Sequence, residues 1–322
     1  MTITISNRMV TSLSAGLVIA AIAGCSTAPA VHRAAGNRDV DSHPAAVTER
    51  QQRSVHGYWT AARMRRARVR TGTRGAWADG NTLGDGLRWT HGGAVTRTTG
   101  KVFFTLGGVD YVCSGSVVDG ARQDVVLTAA HCTGNGPGQW ASNWTFVPGY
   151  TGGARPYGTY SARKFYVSRR WETEQGTSSA RAEEYDVAFV TVNASYGRRL
   201  GAGTGGQPAS FSDSSAGAKL NGRDAYVFGY PSDTPFNGLY PDYCAGRARQ
   251  APRGTADGAP GLTCAMTAGD SGGPWFSRFS PPAGTGTIVG VSTYKYGDSA
   301  RTLYGTVLGP DARALYQAAA RG

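Results

Sequence analysis

The sequence predicts an all-β fold made of short strands joined by tight turns. Three observations predict this class. The chain of 322 residues contains 47 glycines, which favour turns. Its apolar residues fall in short runs bounded by turn residues, and few long segments have the period of a helix. A hydrophobic content of 40% with 7 tryptophans is sufficient for a packed core.

The predicted elements begin with a hairpin near residue 101. Residues 101–106 and 111–113 read as strands, and Gly107-Gly108 between them is typical of a tight hairpin turn. Further short apolar runs predict strands at 117–118, 125–128, 144–147, 164–167, 187–192, 225–230, 274–276 and 287–292. Residues 311–317 predict a short closing helix. This pattern indicates closed or sandwiched antiparallel sheets.

The first 24 residues have the features of an export signal. Arg8 precedes an apolar stretch over 9–23, and residues 22–25 (Ile-Ala-Gly-Cys) resemble a bacterial lipobox. In the lipobox interpretation, the thiol of Cys25 is acylated. The alternative is ordinary signal-peptidase cleavage after residue 30, at Ala-Pro-Ala. Both readings predict export, to the cell envelope as a lipoprotein or to the medium.

Residues 25–90 differ in composition from the rest of the chain. They are rich in alanine, arginine and polar residues and poor in aliphatic ones, so they predict a disordered basic tether or pro-segment. Four arginines fall within 63–68 and another is Arg70, which leaves a polybasic surface patch as the alternative. The remaining domain covers residues 91–322.

The net charge of +12 does not by itself indicate a nucleic-acid partner. No zinc-finger, RNA-recognition or helix-turn-helix pattern is present in the sequence. No apolar stretch after the signal approaches the 18 residues of a membrane span. We therefore expect no nucleic-acid partner, and membrane contact only through a lipid on Cys25.

Two motifs supply the parts of an activated serine nucleophile. Residues 269–274 read Gly-Asp-Ser-Gly-Gly-Pro and place Ser271 among glycines; residues 127–132 read Leu-Thr-Ala-Ala-His-Cys and contain His131. The five histidines are His32, His43, His56, His91 and His131, so any imidazole base precedes the serine. The α/β-hydrolases match Gly-x-Ser-x-Gly but carry their histidine after the serine, and this order excludes them.

Asp186 is the preferred partner for His131. It opens the buried apolar run 187–192, where a carboxylate can be desolvated and held rigidly. The competing aspartates between the two motifs are Asp213, Asp224, Asp233, Asp242, Asp257 and Asp270. Most of them lie in turn-like contexts.

With Tyr-Asp-Val-Ala-Phe-Val at 185–190 and Cys-Ser-Gly-Ser-Val-Val at 113–118, these motifs resemble the trypsin/chymotrypsin-like serine protease family over about residues 95–317. Thr-Cys-Ala-Met-Thr at 263–267 resembles the bacterial branch related to glutamyl endopeptidases. The resemblance implies two antiparallel six-stranded β-barrels with a short C-terminal helix. It also implies catalytic roles for His131, Asp186 and Ser271, and an oxyanion hole formed by the N–H groups of Gly269 and Ser271.

The resemblance also implies a disulfide pairing and a specificity pocket. Four of the five cysteines permit three pairings, of which Cys113–Cys132 and Cys244–Cys264 are favoured. Pocket candidates are Ala265, Met266, Ser292 and Tyr294, and Lys295 could turn inward and favour acidic residues. Ala265 stands where trypsin carries aspartate. Either a freed N-terminus or an internal arginine would pair with Asp270.

The predicted function is therefore an exported, monomeric serine endopeptidase that acts on proteins or peptides through an acyl-enzyme. No cofactor and no metal ion are expected. Two alternatives remain open at this stage. One is a non-catalytic interaction protein on a protease fold, and the other is a serine esterase.

Overall fold

The computed structural model describes residues 39–70, 85–174, 180–212, 220–251, 259–295 and 301–322. The predicted export signal, Cys25, Asp213 and Asp257 lie outside these residues. The strands are β1 Val40–Pro44, β2 Arg68–Val69, β3 Asp85–Arg88, β4 Thr99–Leu106, β5 Val109–Val117, β6 Val125–Thr128, β7 Ser142–Pro148, β8 Tyr160–Ser168, β9 Ala188–Val192, β10 Asp224–Gly229, β11 Asp242–Arg247, β12 Arg249–Gln250, β13 Pro260–Thr263, β14 Pro274–Ser280, β15 Thr285–Tyr294 and β16 Thr302–Val307. The helices are α1 Glu49–Tyr58, α2 Ala61–Arg66, α3 Val95–Thr98, α4 Arg169–Glu174, α5 Ala180–Glu184, α6 Leu200–Thr204 and α7 Pro310–Arg321.

The first half of the domain is a closed antiparallel barrel. Its strands follow the order β8-β7-β4-β5-β6-β9, and pairing of β8 with β9 closes the ring. Large apolar side chains fill the interior, among them Val102, Trp144, Phe146, Phe165 and Val190. The predicted hairpin at Gly107-Gly108 is present, with φ values of +58° and +79° that suit glycine.

The second half is a sheet in the order β12-β13-β16-β15-β14-β10-β11-β3. In the part of the chain that the structure describes, no ladder joins β11 to β13. The Cys244–Cys264 disulfide links them instead, with an S–S distance of 2.00 Å. Leu262, Trp275 and Leu303 pack with this disulfide in the core of the sheet. The predicted all-β, chymotrypsin-like class is confirmed.

A shared core joins the two halves. Leu127 and Phe189 of the barrel pack in one cluster with Phe228 and Ile288 of the sheet. Leu315 of α7 completes this cluster, so the closing helix extends beyond the predicted 311–317 because its apolar face is buried.

The expectation of disorder over 25–90 is wrong for the described residues in that range. Strand β1 pairs with β8, β2 pairs with β5, and β3 pairs with β11. Trp59 and Met64 are buried against Phe103 of the barrel. Composition missed this order because the segment has few apolar residues and buries them on a surface formed by residues far along the chain.

Candidate active site

His131 and Asp186 meet on one side of the first barrel. His131 lies in a 3₁₀ turn, Ala130–Cys132, directly after β6, and Asp186 lies two residues before β9, the strand that pairs with β6. The Nδ1 atom of His131 is 2.6 Å from Oδ2 of Asp186. The backbone N–H of His131 donates to the other carboxylate oxygen over 2.8 Å. These two contacts fix the imidazole and leave Nε2 facing away from the carboxylate.

The Cys113–Cys132 disulfide holds the histidine turn against β5. Its S–S distance is 1.99 Å, and it joins the residue next to His131 to the middle of that strand. The side chain of Asp186 is 9% exposed and that of His131 is 17% exposed. The carboxylate is therefore largely desolvated, whereas the imidazole keeps an open side.

Ser271 lies in a turn that packs directly on the first barrel. The N–H of Ser114, in β5, donates to the carbonyl oxygen of Ser271 over 2.8 Å. Sγ of Cys132 is 3.7 Å from the same oxygen. The serine is thus beside the disulfide that flanks His131. The structure brings together the three residues that the two motifs and the preferred aspartate predicted.

Two glycines allow the serine turn to approach the barrel so closely. Gly272 has φ +82°, and a Cβ there would lie 2.2 Å from Oγ1 of Thr128 and 2.4 Å from the Ser114 carbonyl oxygen. Gly269 has φ +106°, and a Cβ there would lie 2.7 Å from the Tyr230 carbonyl oxygen. Both positions require glycine for conformation and for space.

Ser114 connects the serine turn to both halves of the domain. Its hydroxyl donates to the carbonyl oxygen of Gly269 and accepts from the N–H of Tyr230, both over 2.8 Å. The hydroxyl therefore fixes the orientation of the peptide bond between Gly269 and Asp270. The sequence offered no signal for this role beyond its place one residue after Cys113.

Residues 113–280, about half of the chain, match the family described as the trypsin-like peptidase domain. The chain belongs to this family. It is 37% identical to the solved protease Anisep from Arthrobacter nicotinovorans, with 70% of this chain and 96% of that chain covered and a TM-score of 0.63. The thermostable serine protease AL20 from an extremophilic microorganism is 31% identical, with 71% and 99% covered and a TM-score of 0.61.

Two further similarities are more limited. A solved Glu endopeptidase shares the fold at 19% identity, with 73% of this chain and 97% of that chain covered and a TM-score of 0.54. The "Extracellular metalloprotease" of Bacillus subtilis is 32% identical over 132 residues, which are 41% of this chain and 37% of that protein's length. The expected relation to trypsin-like serine proteases of the bacterial branch is confirmed. Peptide or protein substrates follow from membership in this family of peptidases.

Asp270 of this trypsin-like peptidase is buried beside Ser271. Burial raises the pKa of its carboxyl group, and the positive charge of Lys295 acts in the opposite direction. Lys295 is itself buried, donates to the Cys264 carbonyl oxygen over 2.6 Å, and has a pKa lowered by burial. Among the described residues, the cation that acts on Asp270 is thus a lysine, where we expected an arginine. Pairing with an N-terminus freed by processing stays a prediction.

The predicted pocket residues have different environments. Met266 is fully buried in the core of the second sheet, and the Ser292 hydroxyl accepts from Nε1 of Trp275 over 3.3 Å. Ala265 is partly exposed, and the ring of Tyr294 stacks on that of Tyr304. The side chains of Met266 and Ser292 therefore face the protein interior. Lys295 is buried. Its predicted entry into the specificity pocket, where it would favour acidic residues, stays a prediction.

Lys101 lies behind the serine turn and had no sequence signal. Its ammonium group donates to Oγ of Ser232 over 3.0 Å and to the Gly238 carbonyl oxygen over 2.8 Å. Ser232 in turn donates its N–H to the Ala268 carbonyl oxygen. Burial lowers the pKa of Lys101 to about 7. This side chain connects β4 of the barrel to the segment that supports Gly269.

Proposed function

We propose that this chain is a serine endopeptidase with His131, Asp186 and Ser271 as its catalytic residues. The observation that carries the proposal is the two-point contact between His131 and Asp186 beside the serine turn. A serine hydroxyl is a weak nucleophile at neutral pH and needs a base to accept its proton during attack. His131 would be that base and then the acid that protonates the leaving amine.

In this proposal Asp186 holds the imidazole in the tautomer whose Nε2 can accept the serine proton. The N–H groups of Gly269 and Ser271 stabilise the oxyanion of the tetrahedral intermediate. The support for the Gly269 donor is the peptide bond between Ala268 and Gly269, whose carbonyl oxygen accepts from the N–H of Ser232 over 2.8 Å. The acyl-enzyme on Ser271 is then hydrolysed by water.

A metal-dependent mechanism is not favoured, although the Bacillus subtilis relative is called a metalloprotease. Within the described ranges, two groups of side chains are close enough to hold an ion: Cys113 with His131 and Cys132, and Asp85 with Cys244 and Cys264. In both groups the cysteines are bound in disulfides and offer no thiolate.

The test is labelling with a fluorophosphonate, followed by turnover assays on peptides and on esters. We expect the label on Ser271, and we expect Ser271→Ala and His131→Ala each to lower kcat at least about 10⁴-fold. The double variant should be little worse than either single one, because the residues act as a unit. Additive losses, or turnover by Ser271→Ala, would refute the triad.

The same assays separate the alternatives. An interaction protein would take up no label at Ser271. An esterase would turn over esters but no peptides. A metalloenzyme would lose activity with a chelator and keep it after fluorophosphonate treatment.

We also propose that the protein is exported through residues 1–24 and that Cys25 is acylated. The lipobox-like sequence and the two disulfides support an extracytoplasmic site. No helix among the described residues is both long and apolar enough to cross a membrane. Mass spectrometry of the membrane fraction should find diacylglyceryl-Cys25; an unmodified N-terminus at Val31 alone would contradict the lipid anchor and indicate simple secretion.

A further inference from the structure

The segment before Arg70 is seated firmly on the first barrel. Met64 of α2 is buried in an apolar cluster with Trp59, Phe103 and Tyr150. The guanidinium of Arg63 lies 4.1 Å from the centre of the Tyr58 ring. These contacts bring the following residues, 68–70, to a defined place on the barrel surface.

Residues 68–70 lie along the strand that leads to the nucleophile. Strand β2 pairs in parallel with Tyr111 and Val112 of β5. Strand β6 pairs with β5 only at Ser116 and Val117, which leaves the earlier part of this edge open to an added strand. Two residues after Val112, the N–H of Ser114 contacts the Ser271 carbonyl oxygen. An extended peptide on this edge is therefore next to the reacting groups.

The guanidinium of Arg70 enters a site built from the turn that follows His131. It donates to the carbonyl oxygens of His131 and Gly134, the second over 2.7 Å, and to Oδ1 of Asn135. The negative charge of Asp186 also favours a cation there, against the desolvation that lowers the pKa of Arg70. Three acceptors in this arrangement suit the planar fork of a guanidinium better than a single ammonium.

We propose that the edge at Tyr111–Val112 and the turn at His131–Asn135 form an arginine-binding subsite for extended peptides, which residues 68–70 fill in the full-length chain. The inference rests on the proposed function, because the subsite lies beside the groups assigned to catalysis. It follows that residues 68–70 compete with substrate. It also follows that the preferred substrates carry an arginine near the cleaved bond.

The binding test uses the full-length chain with Ser271→Ala, which prevents cleavage of the probe. The probe is a fluorescein-labelled heptapeptide with the sequence of residues 64–70, followed by fluorescence anisotropy. Two control peptides carry alanine in place of either the last arginine or the arginine that corresponds to Arg68. These two controls have the same net charge, but only the first lacks the guanidinium that the subsite holds.

We expect Arg70→Ala to raise the affinity of the chain for the probe about tenfold, because the cis competitor is weakened. Arg68→Ala is the matched control in the chain, since Arg68 is exposed, and it should have no effect. In the Arg70→Ala chain, the peptide without its last arginine should bind about tenfold more weakly than the probe, and the other control should bind like the probe.

Substitutions at Asn135 change an acceptor of the subsite rather than the segment that contains Arg70. In the Arg70→Ala chain, where the cis competitor is weakened, Asn135→Asp adds a carboxylate at an exposed turn position and should strengthen binding of the probe, whereas Asn135→Ala should weaken it. With Ser271 intact, Arg70→Ala should lower KM for arginine-bearing peptides and leave kcat unchanged.

Equal losses for the two control peptides would show nonspecific charge attraction and overturn the subsite. Insensitivity to both Asn135 variants would also overturn it. Failure of the proposed function looks different: Ser271 would take up no fluorophosphonate, while the binding pattern of the three peptides would persist.

Discussion

Backbone hydrogen bonds close the first barrel, whereas a disulfide spans the gap in the second sheet. In the first, β8 pairs with β9 and completes a ring of six strands. In the second, Cys244 and Cys264 connect β11 to the end of β13. The ring carries His131 and Asp186, and the second sheet carries Ser271. The proposed base and the proposed nucleophile are therefore positioned by different means.

His131, the proposed base, depends on elements of the ring: the neighbouring strands β6 and β9 deliver His131 and Asp186, and the Cys113–Cys132 disulfide holds the histidine turn. Ser271, the proposed nucleophile, depends on contacts across the two halves. Ser114 of the first barrel contacts the serine turn through both its N–H and its hydroxyl group. Substitutions in the two halves should therefore fail in different ways.

The largest expected effect is on the ring side, at Asp186. Asp186→Asn keeps the size of the side chain but lets the amide stabilise the wrong imidazole tautomer, so kcat should fall about 10⁴-fold while the fold is retained. Kinetic assays measure kcat, and circular dichroism checks that the fold is retained. The control is Asp224→Asn, whose side chain is 80% exposed and which should leave kcat unchanged. A normal kcat for Asp186→Asn would show that Asp186 does not orient the catalytic imidazole.

The next effect tests the contact between the halves, at Gly272. Gly272→Ala places a methyl group against Thr128 and Ser114, so we expect an activity loss of about 10²-fold and a decrease of about 3 kcal/mol in the free energy of unfolding. Gly107→Ala is the matched control, since Gly107 has φ +58° with open space around it. That variant should cost only about 1 kcal/mol. Equal losses of unfolding free energy in the two variants would mean that the positive φ angle, and not the close approach to Thr128 and Ser114, causes the destabilisation.

Removing each disulfide compares its role in the two halves: one holds the histidine turn, and the other spans the gap in the second sheet. The sequence separations are 19 and 20 residues, so both bridges restrict the unfolded chain by about 3 kcal/mol in the entropic model. The unfolded-state contributions therefore cancel in the comparison. Replacing Cys113 and Cys132 by alanine should reduce kcat through His131. Replacing Cys244 and Cys264 should instead speed hydrogen exchange in β13.

Chemical denaturation, kinetics and exchange measured by mass spectrometry distinguish these outcomes. If the Cys244–Cys264 variant kept full protection in β13, the hydrogen bonds to β16 would be sufficient to hold that edge of the sheet. The second sheet would then not need its disulfide to hold β13 in place.

The smallest effect concerns the edge of the ring where β1 pairs with β8. Burial, and then Asp41, raise the pKa of Glu172 in α4 to about 7. Because the raised pKa favours the protonated form in the folded state, this stabilisation is full below about pH 4.5 and is lost as the pH rises through about 7. Glu172→Gln should therefore lose less stability than the parent between pH 5 and 8.

Thermal unfolding at several pH values measures this slope. Glu49→Gln is the control, because the side chain of Glu49 is 86% exposed and should not contribute to the slope. An unchanged slope in Glu172→Gln would place the titrating group elsewhere, with the buried Asp270 of the second half as the first group to examine.

The chain order of the candidate site residues, and most of the strands that carry them, could be predicted from the sequence. With no histidine after His131, any imidazole base precedes Ser271, and chain order excludes the α/β-hydrolase arrangement. Asp186 could be preferred because it borders an apolar run. Signals of this kind are local, since turn glycines and apolar runs act on their own neighbours in the chain.

The tertiary structure was needed to show which acceptors the buried cations find and that residues 39–70 form strands and helices. Lys101 and Arg70 have no local sequence signal for burial, yet each finds acceptors supplied by residues distant in the chain. Desolvating a cation is unfavourable unless such acceptors are in place, and their positions follow from how the two halves pack. The same reason explains β2: a two-residue strand forms because β5 offers it an edge, and no local pattern records that edge.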